Sequence, residues 1–160
     1  RHLTLRVSWV FGIHGHNFVK TMLQLARERE EVRVVSDQFG CPTYAGDIAD
    51  TLLNLVGRST EIDANDAWGT YHYCGTPVTT WHNFVSAIIE QAQTFEALRV
   101  QTITAIATAD YPTPAARPAN SVLDSSRLSF CFGILPRPWR DGLHALLVAL
   151  HADGSKRPAG

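Results

Sequence analysis

The residues best equipped for chemistry fall in two short polar stretches, at positions 37–49 and 111–124. The first reads Asp-Gln-Phe-Gly-Cys-Pro-Thr-Tyr-Ala-Gly-Asp-Ile-Ala, a polar loop that turns into an amphipathic helix. The second reads Tyr-Pro-Thr-Pro-Ala-Ala-Arg-Pro-Ala-Asn-Ser-Val-Leu-Asp, and its prolines exclude a helix over 112–118. Together the two stretches offer amide, hydroxyl and guanidinium groups, which could bind a polar or anionic ligand.

Arg117 is the strongest candidate for binding an anion. Prolines flank it in the sequence, so its loop is rigid and the guanidinium loses little backbone entropy when it engages a ligand. The planar fork of N–H donors can hold two phosphate oxygens at once. The alternative is an Arg that only pairs with an acidic residue on the surface.

Trp9 and Asn17 lie on either side of the loop that follows the first predicted strand. Ligands of open α/β sheets sit beyond the carboxyl ends of strands, where the ring of Trp9 could pack on a sugar face. Asn17 is placed to cap the next helix, and that helix N-terminus can also face an anionic ligand. The alternatives are a core role for Trp9 and a purely capping role for Asn17, and for Asn17 the two roles are compatible.

Gln38, Pro42 and Thr43 belong to the loop at 36–43. The polar side chains of Gln38 and Thr43 could hydrogen-bond a nucleotide base or sugar. Alternatively, they satisfy backbone groups of the loop itself. Pro42 is expected to fix the loop conformation rather than to contact a ligand.

Composition argues against several other classes of protein. The net charge of −1 gives no electrostatic reason to expect nucleic acid binding, and no apolar run has the length of a membrane span. The seven His and three Cys residues lack metal-ligand spacing, so no metal is predicted. No Ser, His and Asp set forms a recognisable nucleophile motif. Three unpaired thiols fit a reducing, cytoplasmic compartment.

Hydrophobic periodicity predicts alternating strands and helices, which favours an α/β fold with parallel strand pairing. The predicted strands cover 3–10, 32–35, 69–75 and 100–106. Three predicted helices begin at capping residues, which are Asn17, Thr79 or Thr80, and Ser125. A fourth runs from about Gly46 and ends at Gly57. The last helix carries the apolar residues Leu143, Leu146, Leu147 and Leu150.

This arrangement also predicts the domain organisation. Three or four strands, one of them at the first residues, make an incomplete sheet that needs a partner segment. We expect one domain over residues 1–152 and a disordered tail over 153–160, where small, polar and breaker residues dominate.

Several motifs in the right order resemble the dTDP-4-dehydrorhamnose reductases, a family of extended short-chain dehydrogenases/reductases. The matching segments are Arg6 to Gly12 around Trp9, Asn17 to Val19, Asp37 to Thr43, Tyr111 to Leu123, Leu135-Pro136 and Trp139 to Leu143. The resemblance implies the C-terminal part of such a protein. Its fold would be the last strands of the Rossmann-like sheet and a small mixed α/β substrate-binding domain.

The resemblance also implies a reaction for the full-length protein. Members reduce dTDP-4-dehydro-L-rhamnose to dTDP-L-rhamnose, with hydride from NADPH, NADH being the alternative donor, and a proton from a Tyr-x-x-x-Lys pair. This sequence contains neither that pair nor a glycine-rich dinucleotide loop. The fragment alone is therefore expected to hold no catalytic residue, to bind no cofactor and to be inactive. A dTDP-sugar is the expected partner, and a homodimer is possible.

Carried over from the family, six residues form the expected substrate site. Trp9 would pack near the deoxysugar and Asn17 and Arg117 would hold the diphosphate, while Gln38, Pro42 and Thr43 belong to the family loop. Two alternatives stay open. One is a non-catalytic regulatory subunit of the methionine adenosyltransferase type, and the other is a different sugar-nucleotide reductase or epimerase.

Overall fold

The computed structural model describes residues 2–59, 68–111 and 117–154. The strands are β1 Leu3–Val7, β2 Val10–Phe11, β3 Glu31–Val35, β4 Phe39–Gly40, β5 Thr43–Tyr44, β6 Gly69–Tyr73, β7 Thr79–Thr80 and β8 Thr102–Ile106. The helices are α1 Phe18–Glu28, α2 Ala45–Ser59, α3 Trp81–Ala92, α4 Ser126–Phe132 and α5 Trp139–Gly154, with a 3-10 turn at Thr108–Asp110. Parts of the predicted surface loop (60–66), proline-rich run (112–116) and tail (155–160) lie outside the described residues.

Strand pairing within the described residues is mostly parallel, which confirms the prediction from the alternation of elements. β1 pairs with β6, β3 with β8 and β2 with β5, all in parallel, while β4 and β7 are antiparallel. In the longest pairs Leu3 lies opposite Gly69 and Glu31 opposite Thr102. The carboxyl ends of parallel strands open toward the same side, which is where ligands of α/β folds bind.

Three local predictions were wrong. The first strand does not run unbroken to Val10, because Trp9 takes a left-handed φ of 47° and separates β1 from β2. Helix α2 runs past Gly57 to Ser59 instead of ending there. Ser125 makes no side-chain capping bond at α4, and the Asp124 carboxylate accepts from the Ser126 N–H at 2.9 Å instead.

The main core lies between helices α1, α3 and α5, whose apolar faces follow the spacing of an amphipathic helix. Its buried side chains are Phe11, Val19, Leu23, Phe84, Ala87, Ile88, Ala92, Trp139, Leu143, Leu146 and Leu147. A second cluster joins α1 and α3 to strand β3 through Ala26, Val32, Val34, Val85, Ile89 and Val100. These two clusters fix α1, α3 and β3 around one cavity.

A third cluster supports the other pair of long strands. Leu55 of α2, Tyr71 and Tyr73 of β6, and Leu128 and Phe132 of α4 are all buried together. This packing holds β6 against α2 and α4. Across the described ranges, no helix is both long enough and apolar enough to cross a membrane.

Candidate functional site

A cavity of about 630 Å³ opens beside β3, α1 and α3. Aromatic, aliphatic and polar side chains share its wall, and the described ones are Trp9, Phe18, Met22, Arg33, Val34, Val35, Gln38, Trp81, Tyr111, Arg117, Pro118 and Ser121. The volume falls within the range of small-molecule sites, which combine apolar walls with a few polar groups. Of the six residues predicted from sequence, the structure brings Trp9, Gln38 and Arg117 to this cavity.

Three rings form an aromatic wall, which we define as Trp9, Phe18 and Trp81. The indoles of Trp9 and Trp81 stack in parallel, with their ring centroids 3.4 Å apart and an interplanar angle of 7°. Phe18 packs against Trp81 at 4.4 Å between centroids. The aromatic wall is a rigid, apolar surface suited to a flat base or to the apolar face of a sugar.

The backbone conformation of Trp9 is unusual, and hydrogen bonds and a close packing contact hold the residue in place. Its φ of 47° lies in the left-handed region that a bulky residue rarely adopts. Its indole N–H donates to Ser121 Oγ at 2.9 Å, and its carbonyl accepts from the Thr43 N–H at 3.0 Å. A Cβ at Gly40 would lie only 2.3 Å from the Trp9 ring, so the ring position requires glycine there. Such strained, over-determined residues cluster at functional sites.

Gln38 is almost buried at the cavity, with 8% of its surface exposed. Its amide N–H donates to Thr108 Oγ1 at 3.1 Å, and that hydroxyl donates to Asp37 at 2.6 Å. The hydrogen bonds from the Thr108 hydroxyl and backbone N–H lower the pKa of Asp37. This network uses one N–H of the Gln38 amide, so a role toward a ligand would fall to its carbonyl oxygen or to its second N–H.

Two guanidinium groups provide the charge of the cavity wall. Arg117 and Arg33 are both exposed, the first on the segment after the proline-rich run and the second on β3. No Asp or Glu is found among the described residues of the wall. An aromatic surface with two cations, and no carboxylate among the described wall residues, suits a ligand that joins a flat or apolar part to an anionic part.

Asn17 lies at the start of α1 and not in the described wall of the cavity. Its amide oxygen accepts from the Lys20 N–H at 3.3 Å, and its amide N–H donates to the Gly12 carbonyl at 2.8 Å. The predicted N-cap is therefore confirmed. These two bonds tie the loop after β2 to the first turn of α1, next to Phe18 of the aromatic wall.

Thr43 and Pro42 lie beneath the site rather than along it. Thr43 is fully buried, and its hydroxyl donates to the Cys41 carbonyl and accepts from the Gly75 N–H, both at 3.2 Å. The backbone of Pro42 touches Gly75 so closely that a Cβ there would lie 2.1 Å from the Pro42 carbonyl oxygen. Both residues fix the loop that carries Gln38 and Gly40.

Sequence reasoning missed several members of the wall, chiefly Arg33 and Trp81. Trp81, the first residue of α3, packs against the core, but only part of its surface is covered. On β3, exposed Arg33 alternates with buried Val32 and Val34. This pattern predicts that the Arg33 side chain faces away from the core, but it does not predict contact with a ligand. The signal available was its position three residues before the polar loop at 36–43.

Comparison with known proteins places this geometry in a family. A family model described as the RmlD substrate binding domain matches residues 1–152. The dTDP-4-dehydrorhamnose reductase of Aggregatibacter actinomycetemcomitans is 44% identical over 144 residues, which cover 89% of this chain and 49% of that protein. The chain thus spans about half the length of the curated relatives it matches.

Solved structures agree. The dTDP-4-dehydrorhamnose reductase of Bacillus anthracis, in complex with NADP, matches with a TM-score of 0.78 and 33% identity over 92% of this chain and 48% of that one. An ortholog from Clostridium acetobutylicum matches with a TM-score of 0.81 and 30% identity over the same shares, 92% and 48%. The resemblance inferred from motifs and the predicted fold class are both confirmed. The chain belongs to the RmlD substrate binding domain family.

Proposed function

We propose that this chain is the sugar-nucleotide-binding part of a dTDP-4-dehydrorhamnose reductase. The observation that carries the proposal is the cavity in which the aromatic wall meets Arg33 and Arg117 with no carboxylate among the described wall residues. A dTDP-sugar has a flat base, a deoxysugar with an apolar face and a diphosphate, and each part finds a matching surface. Family membership supports the same substrate.

Within this proposal we assign roles to Arg117, Arg33, Trp9 and Gln38 of the wall and to Asn17 beside it. The guanidinium of Arg117 binds the diphosphate, and Arg33 adds a second cation at the same cavity. Trp9 packs near the deoxysugar, and the carbonyl oxygen of Gln38 accepts from the base or a sugar hydroxyl. We assign Asn17 a positioning role, through the loop between β2 and α1 that its two hydrogen bonds hold.

Pro42 and Thr43 take positioning roles of the same kind. They contact the loop that carries Gln38 and the backbone of Trp9, and neither lies in the described cavity wall. Pro42 and Thr43 would affect substrate binding only by positioning Gln38 and Trp9, without contacting the substrate. Replacing Pro42 or Thr43 should therefore lower folding stability as well as substrate affinity.

The reduction itself would need groups that this chain does not contain. NADPH, when bound, supplies the hydride for the keto carbon, and the Bacillus anthracis relative was solved with NADP. Neither a glycine-rich dinucleotide loop nor a Tyr-x-x-x-Lys pair occurs in these 160 residues. The residues of this chain therefore account for binding and orienting the sugar nucleotide, and no step of hydride or proton transfer is assigned to them.

The test uses the intact protein that contains this chain. NADPH oxidation would be followed with dTDP-4-dehydro-L-rhamnose as substrate, and dTDP-L-rhamnose identified by mass and retention time. We expect turnover that is competitively inhibited by dTDP. Tight dTDP binding without turnover would support the non-catalytic alternative, and no binding of dTDP at all would refute the proposed site.

A further inference from the structure

A second cavity, of about 550 Å³, shares no described wall residue with the first. Two of its wall residues are Cys41, after strand β4, and Cys74, after strand β6. Both side chains are nearly buried, with 3% and 4% of their surface exposed. Neither cysteine has a role in the proposed binding of a sugar nucleotide.

The backbone brings these two thiols together from distant parts of the sequence. Pro42 and Gly75, the residues that follow the two cysteines, are in contact, since a Cβ at Gly75 would lie 2.1 Å from the Pro42 carbonyl oxygen. The Thr43 hydroxyl joins the same two segments, because it donates to the Cys41 carbonyl and accepts from the Gly75 N–H. The two cysteines are therefore held side by side at the same point of the fold.

The two thiols also influence each other's protonation. The interaction between the two side chains lowers the pKa of Cys74 and, together with burial, raises the pKa of Cys41. The Cys74 thiol in turn donates to the Leu123 carbonyl oxygen, with its sulfur 3.3 Å from that oxygen. One sulfur is thus favoured as the attacking thiolate and the other is kept protonated beside it, the pairing found in reactive dithiols.

We propose that Cys41 and Cys74 form a redox-active dithiol site that reacts with small aliphatic disulfides and closes into an internal disulfide. Both thiols are free in the structure and both line a cavity large enough for a small molecule. The site is separate from the proposed substrate cavity, so it does not depend on the proposed function.

The exchange takes place in two steps. The Cys74 thiolate attacks one sulfur of the small disulfide, which forms a mixed disulfide and releases one small thiolate. Cys41 then gives its proton to a small thiolate and its sulfur attacks Cys74, which expels the second small thiolate. The two protein thiols are oxidised, the small disulfide is reduced to two thiols, and the two protons of the protein thiols end on those products.

The bond would join two segments that matter for the first cavity. Cys41 follows Gly40, against which the Trp9 ring packs, and Cys74 follows β6, the partner of the strand that leads to Trp9. A disulfide would tie the Gln38 loop to the end of β6. In a reducing compartment the pair would stay open, and it would close only when small disulfides accumulate.

The experiment uses the intact protein that contains this chain, with the third cysteine of the chain removed by Cys131→Ser, a residue outside the described wall of this cavity. The protein is incubated with glutathione disulfide in buffer without denaturant, and circular dichroism confirms that it is folded. We expect the intact mass to fall by two hydrogen atoms, and peptide mapping to join Cys41 to Cys74. An unchanged mass, or stable glutathione adducts on both cysteines, would overturn the proposal.

Two further variants in the Cys131→Ser background separate the roles of the thiols. Cys41→Ser lacks the resolving thiol, so it should accumulate a single glutathione adduct on Cys74. Cys74→Ser should be modified more slowly than Cys41→Ser, because burial still raises the pKa of Cys41 when its partner is gone. Equal modification of both variants would show that the two thiols are not differentiated and would refute the assigned order of attack.

Discussion

The parallel stack of Trp9 on Trp81, with ring centroids 3.4 Å apart, joins the loop after β1 to the first residue of α3. The two residues are 72 positions apart in the sequence. Trp9 reaches this position only because its backbone is left-handed and Gly40 leaves room for its ring. The stack makes the aromatic wall one rigid surface, and several predictions depend on it or on the cations beside it.

Replacing Arg117 with Ala should raise KM for the dTDP-sugar in the intact protein. One charge-assisted contact contributes about 1.5–3 kcal/mol, which corresponds to a KM increase of roughly tenfold to a hundredfold. Steady-state kinetics measure it. The matched control is Arg99→Ala, which removes an exposed guanidinium paired with Glu30 outside the described cavity wall and should leave KM unchanged. Equal KM values for wild type and Arg117→Ala would remove Arg117 from the diphosphate site.

Arg33→Ala tests the cation that the structure adds to the site. If Arg33 faces the diphosphate, its loss should weaken dTDP binding by about tenfold and leave the weaker binding of thymidine, which has no phosphate, nearly unchanged. Titration calorimetry with both ligands gives the comparison. Similar losses for dTDP and thymidine would indicate that Arg33 contacts the nucleoside instead.

Gly40→Ala should displace the Trp9 ring, because the added Cβ would meet ring atoms at 2.3 Å. We expect a changed tryptophan emission spectrum and a higher KM for the dTDP-sugar. Gly57→Ala is the matched control, since a Cβ there meets nothing within 4 Å. In the interior of α2 that change should raise the free energy of unfolding by roughly 0.5–1 kcal/mol without altering fluorescence or KM. An unaltered emission spectrum in folded Gly40→Ala would contradict the proposed contact.

Thr43→Val should lower the free energy of unfolding, because it leaves the buried Gly75 N–H without its acceptor. A buried polar group that loses its partner costs about 1–3 kcal/mol. Thr43→Ser keeps the hydroxyl and should retain most of this contribution. Urea denaturation of the two variants gives the difference, and equal stability of Val and Ser at this position would show that the hydroxyl bridge contributes nothing.

The ion pair between Glu96 and Arg27 should make stability depend on pH. The hydrogen bond from Arg27 holds the pKa of Glu96 below its usual value of 4.5, and the carboxylate is largely covered. A lowered pKa in the folded state stabilises the protein above the unfolded value, and this stabilisation disappears as pH falls through the folded pKa. The stability gap between wild type and Glu96→Gln should therefore be full at neutral pH and vanish in acid.

Glu90→Gln provides the control for this pH dependence. The Glu90 side chain is 71% exposed, and its carboxylate oxygen lies 3.5 Å from the Arg140 guanidinium. Such an exposed ion pair contributes little to stability. Denaturation curves collected across the acid range should show almost no gap between wild type and Glu90→Gln at any pH. A gap for Glu96→Gln that stays constant with pH would contradict the role of its charge.

Local sequence was sufficient for the elements and for part of the site. The spacing of apolar residues predicted α1, α3 and α5, and the capping role of Asn17 followed from a side chain whose partners lie within five residues. Arg117 could be selected as an anion-binding candidate because a guanidinium in a rigid proline-flanked loop loses little backbone entropy when it binds an anion. These inferences depend on short-range geometry, which the sequence encodes directly.

Only the tertiary structure decided which candidates meet. Trp81 and Arg33 join Trp9 at one cavity through contacts between residues far apart in the chain, and no local pattern signals such contacts. Thr43 looked equally suited to a ligand and to its own loop, and packing against Gly75 placed it in the loop. The pairing of Cys41 with Cys74 likewise follows from strand order and backbone contact, because 32 residues separate the two thiols in the sequence.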